Sequence, residues 1–238
     1  MKFVTLVLSA LMLIAVTARA NDTDTFNAMM VLANKGDAEA QYHVGMMYNN
    51  GIGTPQDIRQ AFEWFQKSAA HDPLGAYKLG CYYAGQGGTV VARNEEEALK
   101  HKLVAAKAGY SLAQFDVALH YAQHGNFDEA VKWLQQAAAQ GDDSALYGLS
   151  QSYYDGKGVP RDLAFALGYY QLSLMMRQEE LNDRNKAVMD HMLAQMSEAE
   201  IAKAQELVGK WKPEPTALTL KALNGISAAE EYVRKASD

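Results

Sequence analysis

The sequence predicts an all-α protein in which antiparallel helix hairpins stack side by side as an α-solenoid. Three observations carry that prediction. The stretch Ala40 to Ala70 reads as two amphipathic helices joined by a glycine loop: Ala40, Val44, Gly45 and Tyr48 share one face of the first. Ala61, Trp64, Phe65, Ser68 and Ala69 make an i, i+3, i+4, i+7, i+8 stripe on the second. The pattern then recurs: a small residue at Gly45, Gly80, Ala118 and Ser150, spaced 35, 38 and 32, is followed three residues later by Tyr48, Tyr83, Tyr121 and Tyr153. Finally, the alanines Ala61, Ala98, Ala130 and Ala166 that open each second stripe stand four residues after Asp57, Asn94, Asn126 and Asp162. Those four have the chemistry of an N-cap, and Gln60, Glu97 and Glu129 at +3 complete capping boxes in three of the four.

Taken in order, residues 1–20 read as a signal peptide. Lys2 gives a positive start, Phe3 to Val16 is a short apolar run, and Ala18-Arg19-Ala20 is a small-x-small cleavage site. The run is shorter than the about 20 residues of a comfortable membrane span. Cleavage after Ala20 implies a periplasmic or secreted protein with no membrane span once the segment is removed. Residues 21–36 form an N-terminal capping helix (Thr25 to Lys35, ended by Gly36), and residues 37–177 hold the four hairpins. In these, the small residues Gly45, Gly80, Ala118 and Ser150 face the repeated alanines and let paired helices approach closely. Aromatics such as Trp64, Phe65, Trp133, Tyr169 and Tyr170 fill the space between successive hairpins. One hairpin cannot bury its stripe alone, so neighbours must stack. Residues 178–211 supply a C-terminal capping pair, Ala187 to Gln195 and a helix opened by Ser197 with Glu200. Pro213 and Pro215 end the ordered part, leaving 212–238 as a flexible tail with a possible short helix from Ala228 to Lys235.

These residues resemble the Sel-one-like repeat family, a relative of the tetratricopeptide repeats, in its exported bacterial type. The family pattern is A-x-x-x-L-G-x-x-Y-x-x-G-x-G followed by D-x-x-x-A-x-x-W-[YF]-x-x-A-A. Ala40 to Ala70 match it almost throughout, with Val44 in place of leucine. The fourth hairpin matches through Ala145, Tyr153, Gly156, Gly158, Asp162, Ala166 and Tyr169-Tyr170, and departs at Ser150 and Leu174. The third departs most, at Ala118 and in its shortened loop. The resemblance implies a right-handed superhelix used as a protein-interaction scaffold. Some family members are linked to β-lactam hydrolysis, but those carry paired cysteines. Here Cys81 is the single cysteine, so no internal disulfide is possible.

Composition narrows the function further. The formal charge of −6 becomes −8 once residues 1–20, with Lys2 and Arg19 and no acid, are removed. That argues against a nucleic-acid partner, whose binding rests on clustered Lys and Arg. The sequence has no nucleophile elbow, zinc-protease helix or phosphate loop. His120 and His124, with Asp116 one turn earlier, are read as a solvated stripe rather than a metal site. No cofactor, metal or catalytic residue is expected, and an exported hydrolase of cell wall or β-lactam is the alternative. The family resemblance places the first helices on the concave side, so a protein or peptide partner is expected on their free face. Counting i, i+3, i+4, i+7 from His43 gives Met46, Met47 and Asn50. The corresponding positions are Lys78 and Tyr82, Asp116 and His120, and Ser152 and Asp155, with Tyr82 as an exposed aromatic anchor.

Overall fold

The computed structural model describes residues 21–237, and the expected signal peptide with its cleavage site lies outside them. Among the described residues the chain is helical without strands. Helix α1 covers residues 21–34. The hairpins follow as α2 (Ala38–Asn50) with α3 (Ile58–Ser68), α4 (Pro73–Cys81) with α5 (Glu95–Lys107), α6 (Ser111–Gln123) with α7 (Phe127–Ala139), and α8 (Asp143–Asp155) with α9 (Leu163–Arg177). A capping pair, α10 (Asp183–Leu193) and α11 (Glu198–Lys210), precedes α12 (Ala217–Leu223) and α13 (Gly225–Ser237). Contacts divide the chain into two compact units. The N-terminal unit holds residues through Val104 and those from Lys221 on; the second unit runs from Ala105 to Leu220.

The four expected caps form. Asp57 accepts from the N–H groups of Arg59 and Gln60, Asn94 from Glu97, Asn126 from Glu129, and Asp162 from Ala164 and Phe165. The capping boxes at Gln60, Glu97 and Glu129 do not, because the cap's own N–H is already used. In every hairpin it donates to the carbonyl of the repeated tyrosine: Asp57 to Tyr48, Asn94 to Tyr83, Asn126 to Tyr121 and Asp162 to Tyr153, at 2.9 to 3.0 Å. One bond therefore fastens the end of the first helix to the start of the second in all four repeats. Gln60 turns to Glu63, while Glu97 and Glu129 take Lys100 and Lys132. The reciprocal box forms at Ser197 with Glu200, where the Ser197 N–H reaches the Glu200 carboxylate at 2.8 Å.

The G-x-G loops of the first and fourth hairpins have separate jobs for each glycine. Gly51 and Gly156 end α2 and α8 in the left-handed region, φ 70° in both. Gly53 and Gly158 also have positive φ, and a Cβ there would meet a backbone oxygen of the helix before that hairpin, Asp22 of α1 at 2.2 Å or Phe127 of α7 at 2.3 Å. Close packing inside each hairpin is equally specific. A Cβ on Gly45 would sit 2.6 Å from the Phe65 ring, and one on Gly80 would sit 2.9 Å from the Ala98 carbonyl. Ser150 uses its hydroxyl at the same place, donating to the Ala166 carbonyl at 2.8 Å. The partners Ala61, Ala98, Ala130 and Ala166 are all buried. Tyr48, Tyr83, Tyr121 and Tyr153 are half-buried.

A second set of caps, outside the repeat pattern read from the sequence, opens the first helices. Asp37, Asp72 and Asp142 accept from the first-turn N–H groups of α2, α4 and α8. At the equivalent place before α6 stands Tyr110, which makes no side-chain cap. Thr219 serves this helix start instead, at the N–H just before those the aspartates cap: its Oγ1 accepts from the Ser111 N–H at 3.1 Å and donates to Gln140 Oε1 at 2.7 Å. Thr216 beside it donates from Oγ1 to the Gly109 carbonyl at 2.8 Å and from its N–H to Gln140 Oε1 at 3.0 Å.

The segment expected as a flexible tail thus carries α12 and α13, the second of which covers the window Ala228 to Lys235. In the N-terminal unit α13 lies on α1 and α2. Ala229 is buried in one core with Met29, Ala33, Ala40, Val44 and Trp64. The Tyr232 hydroxyl donates to Asp37 at 2.7 Å. Lys221 pairs with Glu39 at 2.8 Å and reaches Asp72 at 3.7 Å. Burial pushes the Glu39 carboxyl up, but His43 and Lys221 together hold it below the usual carboxylate range.

Candidate partner-binding face

Each first helix has one face toward its hairpin partner and another turned away from it. In the second unit the outward face is open. Tyr147, Gln151, Tyr154 and Asp155 of α8 stand at i, i+4, i+7 and i+8, a single helical stripe. They form a ridge with a cleft on each side. Toward α10 lies a cleft of about 520 Å³, whose lining adds Tyr170, Arg184, Val188 and His191. Toward α6 and α7 lies one of about 280 Å³, which adds Phe115, Leu119, Phe127, Leu134, Ser152 and Lys157. Tyr147, Gln151 and Asp155 belong to both. Large apolar side chains are left in water along this face: Leu119 is 45 % exposed, Val188 40 % and Tyr147 37 %.

Local contacts fix these groups. Arg177 holds Asp143 at 2.5 Å with its guanidinium 5.6 Å from the Tyr147 ring centre. Tyr154 and His191 meet at 3.0 Å across the cleft. Lys157 neutralises Asp155 at 3.0 Å. Burial raises the Tyr170 phenol above the ordinary range, and its hydroxyl donates to Asn185 at 3.2 Å. The lining offers rings, aliphatic groups, amides and charges.

In the N-terminal unit the corresponding face is covered. Tyr42, His43, Met46, Met47 and Asn50 of α2 share a cavity of only about 90 Å³ with Ala222, Gly225, Ile226 and Ala229 from the C-terminal segment. His43 is 4 % exposed and Met47 1 %, so the expected binding role of both is corrected. Tyr82 needs the same correction. At 1 % exposure it is a core ring, packed on Phe62 and Phe65 at 5.9 and 5.5 Å, with its hydroxyl donating to Asn49 at 2.7 Å. Burial alone pushes its phenol up to about 12. Cys81 beside it is buried. Asn50 remains exposed and Lys78 half-buried. Asp116 and His120 are half-buried on α6 outside both clefts; His120 stacks at 4.2 Å on His124, whose Nδ1 contacts the His120 carbonyl. Of the expected residues, Ser152 and Asp155 lie in the open face.

The model of the Sel1 repeat matches residues 38–72, 73–110, 111–142 and 143–176, which are the four hairpins described above. The chain belongs to the Sel1 repeat family. Among its relatives, a putative sel1-like repeat-containing protein L21 of Acanthamoeba polyphaga mimivirus is 33 % identical over 134 residues, covering 55 % of this chain and 24 % of the relative. The DAP3-binding cell death enhancer 1 of Rattus norvegicus is 28 % identical over 171 residues, covering 71 % of this chain and 34 % of the relative. The chain therefore spans a quarter to a third of the length of these two. The crystal structure of a Sel1 repeat protein from Oxalobacter formigenes shares the fold, with a TM-score of 0.56 at 20 % identity over 87 % of this chain and 96 % of that one.

Within the Sel1 repeats, the residues that line the open face were missed by one helical position. The true stripe runs through the position three before the small residue and the one just after it. An aromatic occupies the first of these in every repeat: Tyr42, Tyr77, Phe115 and Tyr147. The second is Met46, Cys81, Leu119 or Gln151. That recurring aromatic was the available signal. The stripe counted from His43 instead passes partly into the core, and so picks up Tyr82.

Proposed function

We propose that this Sel1 repeat chain is an exported, non-catalytic scaffold that binds a partner protein through the open first-helix face of α6, α8 and α10. Sel1 repeat proteins are generally protein-interaction scaffolds, and the rat relative is by its name a protein that binds another. The observation that carries the reading is the pair of clefts flanking α8, bordered by exposed Leu119, Tyr147 and Val188. Exposed apolar side chains gathered along a concave surface mark a site of association. Interfaces of this kind concentrate their affinity in a few aromatic or aliphatic anchors. Export is supported by the arrangement of Lys2, the apolar run and Ala18-Arg19-Ala20. Among the described residues no helix is long and apolar enough to cross a membrane.

Affinity capture from envelope extract tests the binding role. A partner held by the parent chain should be lost from Tyr147→Arg and retained by Asn50→Arg, which alters the N-terminal unit. Capture of the same partners by Tyr147→Arg would move the site elsewhere. Turnover of nitrocefin or muropeptides by the purified chain would overturn the non-catalytic reading. Mass spectrometry of the exported protein should find Asn21 as its first residue; retention of Met1 to Ala20 would contradict export by cleavage.

A further inference from the structure

We infer that the cleft between α8 and α10 selects an acidic, extended segment of its partner, with an apolar side chain seated against the tyrosines. This rests on the reading that the open face binds a protein, and adds the chemistry that it prefers. Helix α10 turns Arg184, Ala187, Val188 and His191 to the cleft, an i, i+3, i+4, i+7 stripe. Of its two polar members, His191 is engaged with the Tyr154 hydroxyl and Arg184 carries a full positive charge, whereas Asp183 and Asp190 of the same helix lie outside the lining. Arg184 is exposed, and no carboxylate among the described residues stands within ion-pair distance of it. The one acid in the lining, Asp155, is already taken by Lys157. What remains unpaired in the cleft is the Arg184 guanidinium, in a chain whose formal charge, with histidine neutral, is −6. An acidic segment is repelled by most of such a surface and attracted here, which gives orientation and partner choice.

The apolar part of the lining decides between a protein segment and a small anion. A free phosphate or carboxylate would use Arg184 and leave the tyrosine rings and Val188 in water. A peptide uses both. Along α10 the rise from Arg184 to Val188 is about 6 Å, at roughly 1.5 Å per residue. An extended chain covers that distance in about two residues, and side chains two apart point the same way. An acid facing Arg184 with an apolar residue two positions away, against Val188 and the tyrosines, matches the lining. The N-terminal unit provides a worked instance of opposite sign. There the acids Glu39 and Asp72 on the first helices take Lys221, and the segment that carries Lys221 covers the α2 face.

The test is selection of a displayed library of random peptides on the purified full chain, followed by fluorescence anisotropy of the enriched peptides. Enriched sequences should carry net negative charge and an acid two residues from an apolar residue. Their affinity should fall about tenfold or more with Arg184→Glu, which opposes them with a like charge. It should also fall with added salt, and be lost with Ala187→Trp, which fills the cleft. Circular dichroism melts establish that both variants keep the parent fold. Neutral or basic sequences that Ala187→Trp abolishes would overturn the acidic preference while leaving the face as the binding site. Peptides indifferent to Ala187→Trp would overturn both readings. A selection that enriches nothing would show that the cleft is not a peptide site.

Discussion

The first helix of the first repeat and the first helix of the fourth are built alike and finish differently. Both begin with an aspartate cap, Asp37 or Asp142, and both end at a left-handed glycine. Both carry a tyrosine three residues before the small position, Tyr42 or Tyr147. Yet Tyr42 is 8 % exposed and Tyr147 37 %. The difference comes from outside the repeats. In the N-terminal unit α13 and the end of α12 lie over the face; in the second unit nothing among the described residues does so to Tyr147. A repeat therefore specifies its own hairpin, while a segment far away along the chain decides whether its outer face is available.

The largest effect expected on this comparison is from Ala229→Glu. Ala229 is 1 % exposed in the core with Met29 and Val44. An unpaired carboxylate there costs about 3 kcal/mol or more, and α13 relieves it by leaving α2. Hydrogen exchange should speed up over residues 225–237 and 38–50, while α8 and α10 stay protected. Unchanged protection of α2 would mean that α13 does not cover it.

Next comes Gly45→Leu, which drives a side chain into the Phe65 ring across the α2–α3 hairpin. Overpacking of this kind costs about 1–3 kcal/mol, visible as a lower midpoint in a denaturant melt. A parent-like melt would remove the close-packing role of the small position.

These two substitutions also separate what the sequence made legible from what it did not. Gly45, the alanine facing it and the caps Asp57, Asn94, Asn126 and Asp162 are readable because each makes its contact within one hairpin, at a spacing that repeats. Even there, the competition between Gln60 and the Tyr48 carbonyl for the Asp57 N–H needs three dimensions to see. The candidate face was harder. Adjacent residues on a helix point about 100° apart, so a stripe chosen one position away took Tyr82, a core ring, for an exposed anchor. The cover over α2 was out of reach altogether: Tyr232 and Asp37 are 195 residues apart, and no period links them.

A smaller effect should follow from Thr219→Val, which leaves the Ser111 N–H without its acceptor. The loss is about 1–2 kcal/mol, the size of a missing cap. Tyr110→Asp in the same chain adds a cap at the N–H groups of Leu112 and Ala113, the positions the other three aspartates serve, and should recover part of that stability. If the double variant melts like Thr219→Val alone, the substitute-cap account fails. The smallest effect is expected from Lys221→Met. Glu39 titrates below its ordinary range with Lys221 beside it, so their contribution is present above that range and is lost as pH falls through the folded value. Being partly exposed, the pair is worth under about 1 kcal/mol. The variant should lose that margin at neutral pH and match the parent in acid.

The most direct test of an open face in one unit and a covered face in the other is photo-crosslinking from two points. A benzophenone amino acid replaces Gln151 in one variant and Asn50 in the other, both exposed and both on the outward side of a first helix. Irradiation is carried out with an acidic peptide from the selection. The account predicts a peptide adduct from position 151, and from position 50 only an internal adduct to residues 222–229. A peptide adduct from position 50, or none from position 151, would contradict it.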